Sequence, residues 1–267
     1  MSSLTLSLVQ TSLFWENKQA NLNMLEEKIM GIKEKTEIVI LPEMFSTGFS
    51  MKPESLAESM DGETVNWMKR VSANRKIVLT GSVMISEEGN FYNRLIWVLP
   101  NGQLGYYDKR HLFAYGEEDK HYSPGQKRII ASVKGWKILL LVCYDLRFPV
   151  WSRQQSPIDA VERNPEYDLI IYVANWPERR NHAWKTLLQA RAIENQCYVA
   201  GVNRVGEDGT GIVHSGDSML VGPLGEVIFS EANNETIFTH TIQREDLDAI
   251  RNKLPFLKDG DDFIIQH

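Results

Sequence analysis

Residues 138–149 read ILLLVCYDLRFP, an apolar run that becomes polar immediately after Cys143. A run of this kind is typical of a strand that is buried on both faces. Because Asp145 and Arg147 interrupt the run, the Cys143 sulfur is expected where a core strand meets a polar turn. A side chain at such a strand end is held firmly and is still accessible to a small molecule. The pattern alone leaves two interpretations open, a catalytic nucleophile and an inert buried thiol.

Two other predicted strand ends carry charged side chains. Residues 37–41 form a run rich in β-branched side chains, which ends at Pro42 because proline cannot donate a ladder hydrogen bond. Glu43 follows directly, and Lys109 follows another strand-like segment at 105–108. An isolated Glu or Lys is usually a solvated loop charge. Here an acid, a cation and a thiol each come just after a predicted strand. This common placement favours one shared catalytic site.

The composition is that of an ordinary globular protein. The chain has 267 residues, of which 43% are hydrophobic and 24% are charged, and no linker interrupts it, so we expect one domain over 1–267. Two cysteines cannot form a disulfide framework, and the N-terminus lacks a secretory pattern, so a cytoplasmic location is expected. The apolar runs are too short for a membrane span. The net charge of −6 argues against nucleic-acid binding but not against an anionic substrate in an arginine pocket.

Alternating strand and helix patterns predict an α/β protein whose sheets are covered by helices. Helical spacing of apolar side chains covers 17–35, 63–73, 180–195 and 243–253, with Asn17 as a cap. Strands are predicted at 5–10, 37–41, 76–85, 91–99, 104–107, 129–133, 136–142, 169–173, 198–202, 218–221, 226–229 and 236–241. Glycines at 206–211 indicate a hairpin turn. The tail at 254–267 mixes apolar and charged side chains, and we expect it to pack on its own domain or on a partner subunit.

Several dispersed motifs resemble those of the nitrilase superfamily of carbon–nitrogen hydrolases, which carry a Glu–Lys–Cys triad. The motifs are, in order, LPE at 41–43, YDKRHL at 107–112, EDKHYSPG at 118–125, CYDLRFP at 143–149, NWP at 175–177, ARAIEN at 190–195 and VNRVG at 202–206. The likeness extends from the first strand to about Ile242. Within the superfamily the chain is most similar to the omega-amidases, because of the DLRFP that follows the cysteine and the YDKRHLF block.

This resemblance implies a fold and an assembly. The family fold is a four-layer αββα sandwich, in which two stacked sheets have helices outside. Such units usually pair into homodimers, with residues 243–267, a C-terminal helix and tail, as one candidate for the dimer interface. The family needs no cofactor and no metal, and the expected partner is a small-molecule amide substrate.

The resemblance also assigns catalytic roles. Amides are poor electrophiles, so covalent catalysis through a Cys143 thioester divides the hydrolysis into two easier steps. Glu43 is expected to be the general base, and it would later give the proton to departing ammonia. Lys109 and the backbone N–H of Tyr144 would stabilise the oxyanion. Glu118 would orient Lys109 and the substrate and would partly balance the charge of Lys109.

Candidate substrate-binding residues follow two of the strands. Arg147 lies four residues beyond the nucleophile, where it would clamp a substrate carboxylate; otherwise it would pair with Asp145 or cap a turn. Asn175 and Trp176 follow the strand at 169–173 and are expected to face the same cleft, offering an amide donor and an apolar wall. A buried structural role is the alternative for Trp176.

The expected reaction is hydrolysis of a small ω-amide of a dicarboxylic or 2-oxo acid, such as 2-oxoglutaramate or 2-oxosuccinamate, with release of ammonia. Another amidase of the superfamily, acting on deaminated glutathione, a carbamoyl group or another aliphatic amide, is the alternative. Two remoter alternatives are a Cys–His hydrolase that uses His111 or His121 and a non-catalytic scaffold. No C-x-x-C or H-E-x-x-H pattern predicts a metal site, and Cys197 is interpreted as a buried strand residue.

Overall fold

Strands and helices alternate along most of the chain. The computed structural model describes residues 2–155 and 164–265. Within these ranges the strands are β1 (Ser3–Gln10), β2 (Ile38–Ile40), β3 (Val78–Glu87), β4 (Asn90–Val98), β5 (Leu104–Asp108), β6 (Ile130–Val133), β7 (Trp136–Val142), β8 (Leu169–Ala174), β9 (Tyr198–Asn203), β10 (Val205–Glu207), β11 (Val213–Val221), β12 (Val227–Ala232) and β13 (Thr236–Gln243). The α-helices are α1 (Lys18–Met30), α2 (Pro53–Leu56), α3 (Glu63–Arg75), α4 (Glu118–His121), α5 (Pro149–Ser152), α6 (Asn181–Asn195) and α7 (Arg244–Lys253). Short 3₁₀ helices span Ala114–Gly116, Cys143–Arg147, Glu178–Arg180 and Phe256–Asp259.

The first helix shows where the sequence prediction was right and where it was wrong. Asn17 caps α1 as predicted, because its side-chain oxygen accepts a hydrogen bond from the Ala20 N–H at 3.1 Å. The predicted extent of 17–35 is too long, since the helix ends at Met30 and Gly31 forms its cap.

The strands form two mixed sheets. The first has the order β13-β1-β2-β3-β4-β5, and the second has the order β10-β11-β9-β8-β7-β6 with β12 paired to β11. Strands β1, β2 and β3 are parallel, as are β7, β8 and β9. In each sheet the carboxyl ends of the parallel strands therefore lie along one edge, where ligands usually bind in α/β proteins.

Helices cover the outer faces of both sheets. Apolar side chains of α1 and α3, including Leu25 and Met68, pack with Leu79 on one face of the first sheet. Side chains of its other strands, such as Leu6, belong to the same core as β7, β8 and β9 of the second sheet, and this core extends to Trp184 of α6. The order of layers is helix, sheet, sheet, helix, which confirms the predicted αββα sandwich.

The C-terminal helix α7 docks on its own chain. The Asp168 carboxylate accepts hydrogen bonds from the Lys137 N–H at 2.9 Å and the Arg251 guanidinium at 2.9 Å, and it forms an ion pair with Arg244 at 2.6 Å. In the tail, Phe256 and Ile264 are exposed, whereas residues 266–267 lie outside the described residues. The dimer interface at 243–267 stays a prediction. No helix in the described ranges has the length and apolar character that a membrane crossing needs.

The end of β5, which precedes Lys109, is fixed by two close contacts. The Gly125 N–H donates to the Lys109 carbonyl at 2.9 Å, and a Cβ atom at Gly125 would lie 2.1 Å from the Asp108 carbonyl oxygen. The buried Arg94 guanidinium binds both Asp108 carboxylate oxygens, at 2.6 and 3.0 Å. The backbone around Lys109 therefore depends on a glycine at 125.

We predict that Gly125→Ala lowers both the free energy of unfolding and kcat, because the added methyl group pushes the Lys109 segment out of place. The expected loss of stability is about 1–3 kcal/mol, which is typical of overpacking. Urea unfolding monitored by circular dichroism measures it.

Gly105→Ala in β5 is the matched control, because among the described residues no atom beyond those of its chain neighbours lies within 4 Å of its Cβ position. Equal stability and turnover in the two variants would contradict the assigned role of Gly125.

Candidate active site

Cys143 lies where the sequence placed it, at the end of β7. Its backbone adopts φ = +43°, a left-handed conformation that is uncommon for a residue other than glycine, and a 3₁₀ helix begins there. The side chain is 8% exposed and lines a cavity of about 210 Å³. A sharp turn after a strand presents a nucleophile to a cavity while the strand holds its backbone.

Glu43, Lys109 and Glu118 form a charge cluster that is fully buried. The Lys109 ammonium donates to Glu43 Oε1 at 2.8 Å and to the two Glu118 oxygens at 3.0 and 2.8 Å. Glu43 follows β2, Lys109 follows β5, and Glu118 begins α4. Three segments that are distant in sequence thus place two carboxylates around one ammonium.

The sequence analysis missed Asn93, which completes this cluster. Its side-chain amide donates to Glu43 Oε1 at 2.8 Å and to Glu118 Oε1 at 3.0 Å, and its side chain is buried inside β4. Asparagine is depleted in strands, so a strand-interior Asn was the available signal. Its two N–H donors help two buried carboxylates to lie side by side.

Asn175 holds Glu43 in place from the second sheet. Its backbone N–H donates to Glu43 Oε2 at 2.8 Å, and its side-chain amide donates to the Glu43 carbonyl at 2.6 Å. The predicted role as a substrate amide donor stays a prediction, since the side-chain amide has a second N–H besides the one that binds the Glu43 carbonyl. The Oδ1 atom is buried and has no hydrogen-bond partner among the described residues, and the side chain lines the cavity.

Trp176 combines the two roles that the sequence left open, an apolar wall of the cavity and a buried structural residue. Its ring lines the cavity, while its backbone N–H donates to Asn203 Oδ1 at 2.8 Å and its indole N–H donates to the Arg180 carbonyl at 2.8 Å. The Arg147 guanidinium lies 4.9 Å from the centre of the Trp176 ring. The tryptophan is thus both a cavity wall and a platform for Arg147.

Asp145 connects the nucleophile turn to the segment that carries Lys109. Its carboxylate accepts from the Val142 N–H at 3.0 Å, the Tyr107 hydroxyl at 2.8 Å and the His111 N–H at 3.0 Å, and His111 Nδ1 lies at 2.8 Å. These partners occupy Asp145, so the predicted alternative of an Arg147–Asp145 pair is wrong. They also occupy His111, whose ring stacks on Phe148 rather than serving the thiol.

Burial and neighbouring charges set the protonation states in the cluster. Burial alone would lower the pKa of Lys109, but Glu118 and Glu43 outweigh it and hold the pKa above its ordinary value. Burial raises the pKa of Glu118, against the lowering effect of Lys109. Burial also raises the pKa of the Cys143 thiol well above its usual range, and the nearby Glu43 charge raises it further, against the lowering effect of Lys109. The resting nucleophile is therefore a neutral thiol beside a charged ammonium.

The cavity combines an aromatic wall with a basic rim. The side chains on the aromatic side are Phe49, Phe113, Tyr115, Tyr144 and Trp176, and those on the polar side include Arg147, Arg179, Arg180 and His214. Tyr144 is the second residue of the 3₁₀ helix that begins at Cys143, in the first turn, where backbone N–H groups have no acceptor within the helix.

Sequence reasoning also missed Arg179, Arg180 and His214. The two arginines directly follow the NWP motif, which was the available signal, whereas nothing marked His214. Burial, with help from Arg204, lowers the pKa of His214 to about 4, so its ring is neutral at physiological pH. No three His, Cys, Asp or Glu side chains in the described ranges are arranged to hold a metal ion.

Comparison with known proteins gives consistent matches over the whole chain. The family model described as carbon-nitrogen hydrolase matches residues 5–252. The chain is 42% identical over 264 residues to omega-amidase YafV of Escherichia coli (strain K12), covering 98% of this chain and 99% of the relative. It is 28% identical over 258 residues to 2-oxoglutaramate amidase of Bacillus subtilis (strain 168), covering 96% of each. A solved CN-hydrolase superfamily protein of Xanthomonas campestris, with an arsenic adduct in its active site, superposes with a TM-score of 0.96 at 42% identity over 100% of both chains.

We predict that Glu43→Gln lowers the pKa of the Cys143 thiol relative to the unmodified protein, because the Glu43 charge raises that pKa. The rate of alkylation by iodoacetamide should therefore begin to rise at a lower pH. The pH profile of alkylation measures this change, with Cys143→Ala as the background for Cys197. An unchanged or higher midpoint in Glu43→Gln would contradict the effect of the Glu43 charge on the thiol.

Proposed function

Because this chain belongs to the carbon–nitrogen hydrolase family of the nitrilase superfamily, we propose that it hydrolyses a small ω-amide through a thioester on Cys143. The chain is a hydrolase of amide carbon–nitrogen bonds, and it is of the omega-amidase type. The proposed substrate is the ω-amide of a dicarboxylic or 2-oxo acid, namely 2-oxoglutaramate or 2-oxosuccinamate. The observation that carries the proposal is the buried Glu43–Lys109–Glu118 cluster next to the Cys143 thiol.

In the first step the Cys143 sulfur attacks the amide carbon while Glu43 takes the thiol proton. The raised pKa of the thiol favours this coupled transfer over a preformed thiolate. The carbonyl oxygen becomes an oxyanion, which the Lys109 ammonium and the Tyr144 N–H stabilise. Removing one such donor typically costs about 3 kcal/mol in the transition state.

The tetrahedral intermediate then collapses to the thioester. Glu43 gives its proton to the amide nitrogen, the carbon–nitrogen bond breaks, and ammonia leaves. Glu43 next takes a proton from water, whose oxygen attacks the thioester carbon. The carbon–sulfur bond breaks, the carboxylic acid leaves, and the thiol regains its proton.

Glu118 and Asn93 act by positioning. An ammonium has three N–H donors. A single N–H shared between the two Glu118 oxygens, with a second N–H on Glu43, leaves the third for the oxyanion. Glu118 holds the Lys109 ammonium in this orientation, and Asn93 binds both Glu118 and Glu43. The role of each residue is therefore to keep the Lys109 charge fixed throughout the cycle.

The cavity supports a small anionic substrate. Its volume of about 210 Å³ lies below the range of roughly 300–1,000 Å³ that is typical of drug-sized ligands. Arg147 is half-buried in it, and a guanidinium matches a carboxylate through two parallel hydrogen bonds. A carboxylate at the far end of a short ω-amide fits this arrangement.

We predict that Cys143→Ala lowers the rate of ammonia release from 2-oxoglutaramate by at least about 1,000-fold, because no other group replaces the sulfur. Coupled glutamate dehydrogenase detection of ammonia measures the rate. The matched control is Cys197→Ala, whose thiol is buried among core residues of the second sheet and should not be needed for turnover.

Retained turnover in Cys143→Ala would contradict the proposed mechanism. Equal rates for carboxylate-bearing and neutral amides in the unmodified protein would contradict the proposed substrate class.

A further inference from the structure

The cavity contains positive charge that the chain does not neutralise. Arg147, Arg179 and Arg180 all line it, and none of them forms an ion pair within residues 2–155 and 164–265. The acid that lines the same cavity is Asp208, and its Oδ1 already accepts from the N–H and hydroxyl of Thr210 and from a further backbone N–H. Uncompensated charge at a half-buried site is unfavourable unless a ligand supplies the partner.

Arg180 is held in place more firmly than a surface arginine. Its guanidinium lies 5.1 Å from the centre of the Phe113 ring, and its side chain is half-buried. Its backbone is tied to the cavity wall, because its carbonyl accepts from the Trp176 indole at 2.8 Å and its N–H donates to the Pro177 carbonyl at 3.0 Å. Stacking on an aromatic ring orients a planar guanidinium and so prepares its fork of donors for a ligand.

The Arg147 guanidinium likewise lies over an aromatic ring, that of Trp176, at 4.9 Å from its centre. Its positive charge also affects the pKa of Arg180. Burial lowers the pKa of Arg180, Arg179 lowers it further, and Arg147 also lowers it despite the opposing effect of Cys143. The effects of Arg179 and Arg147 arise because their positive charges line the same cavity as Arg180. An anion between Arg147 and Arg180 would relieve their repulsion.

We propose that Arg180 is a substrate-binding residue that holds the substrate carboxylate together with Arg147. A carboxylate offers about four lone-pair sites, which is enough for two guanidinium groups. Arg180 then determines the preference for an amide with an anionic far end, since a neutral amide gives it no partner. This inference rests on the proposed function, because it assumes that the reacting amide lies at Cys143.

The test compares two amides of equal length, succinamate, which ends in a carboxylate, and butanamide, which ends in a methyl group. For Arg180→Gln we expect kcat/KM for succinamate to fall about 10- to 100-fold, mainly through KM, because a charge-assisted contact is lost. The kcat/KM for butanamide should fall far less, because its methyl end forms no charge-assisted contact with the guanidinium. Arg147→Gln should show the same selective loss.

Arg179→Gln is the matched control, because it removes one positive charge from the adjacent position, which is exposed and stacks on no aromatic ring in the described residues. It should change kcat/KM for succinamate far less than Arg180→Gln does. Equal losses in the two variants would overturn the proposal in favour of a general field effect. Equal losses for succinamate and butanamide in Arg180→Gln, or no loss for either, would also overturn it.

A second measurement does not depend on turnover. Alkylation of Cys143 by iodoacetate, which is anionic, is compared with alkylation by neutral iodoacetamide, after subtraction of the Cys143→Ala background. We expect Arg180→Gln to slow the iodoacetate reaction selectively, by about 10-fold. An unchanged ratio would overturn the anion site. If the unmodified protein hydrolysed neither amide, the proposed function would fail, and the alkylation ratio would still decide whether Arg180 and Arg147 bind an anion.

Discussion

The ammonium of Lys109, enclosed without solvent between the carboxylates of Glu43 and Glu118, is the interaction on which the site depends. Two carboxylates cannot remain charged side by side in a protein interior unless a cation and hydrogen-bond donors compensate them. Lys109 supplies the cation, and Asn93 and Asn175 supply the donors. Such a cluster is expensive to bury, so we infer that it is maintained for the chemistry at the adjoining thiol rather than for stability.

The packing of the two sheets sets the geometry of this site. Glu43 follows a strand of the first sheet, Asn175 follows a strand of the second, and two hydrogen bonds join them. A second connection runs from Tyr107, at the end of a first-sheet strand, to Asp145 in the turn that carries Cys143. Any sliding of one sheet over the other would break both connections and move the thiol away from its base. The large shared core that prevents sliding is therefore part of the catalytic arrangement.

The sequence indicated the positions at strand ends, because an apolar run that stops at a charged or reactive residue is a local signal. Glu43, Lys109 and Cys143 were found in this way. Asn93 and Arg180 were missed, since their roles arise from contacts between segments that are far apart in sequence. Likewise, composition and periodicity predicted helices and strands but not how they are layered. The four-layer αββα order came from the resemblance to the nitrilase superfamily. The positioning roles of Asn93 and Asn175 follow from hydrogen bonds that no local pattern contains.

Replacement of Lys109 by methionine tests the central interaction most directly, because it removes the charge while it keeps most of the volume. At neutral pH we expect Lys109→Met to lower the free energy of unfolding by about 3–5 kcal/mol, since it leaves carboxylates buried without a cation. Burial raises the pKa of Glu118 above its unfolded value, and loss of Lys109 raises it further, so the folded variant binds a proton more tightly than the unfolded chain. The stability deficit should therefore shrink as the pH falls. Urea unfolding of Lys109→Met and of the unmodified protein over a series of pH values measures this difference in stability. We predict a lower free energy of unfolding for the variant at neutral pH and a smaller difference in acid. A variant as stable as the unmodified protein, or a difference that does not depend on pH, would contradict the account.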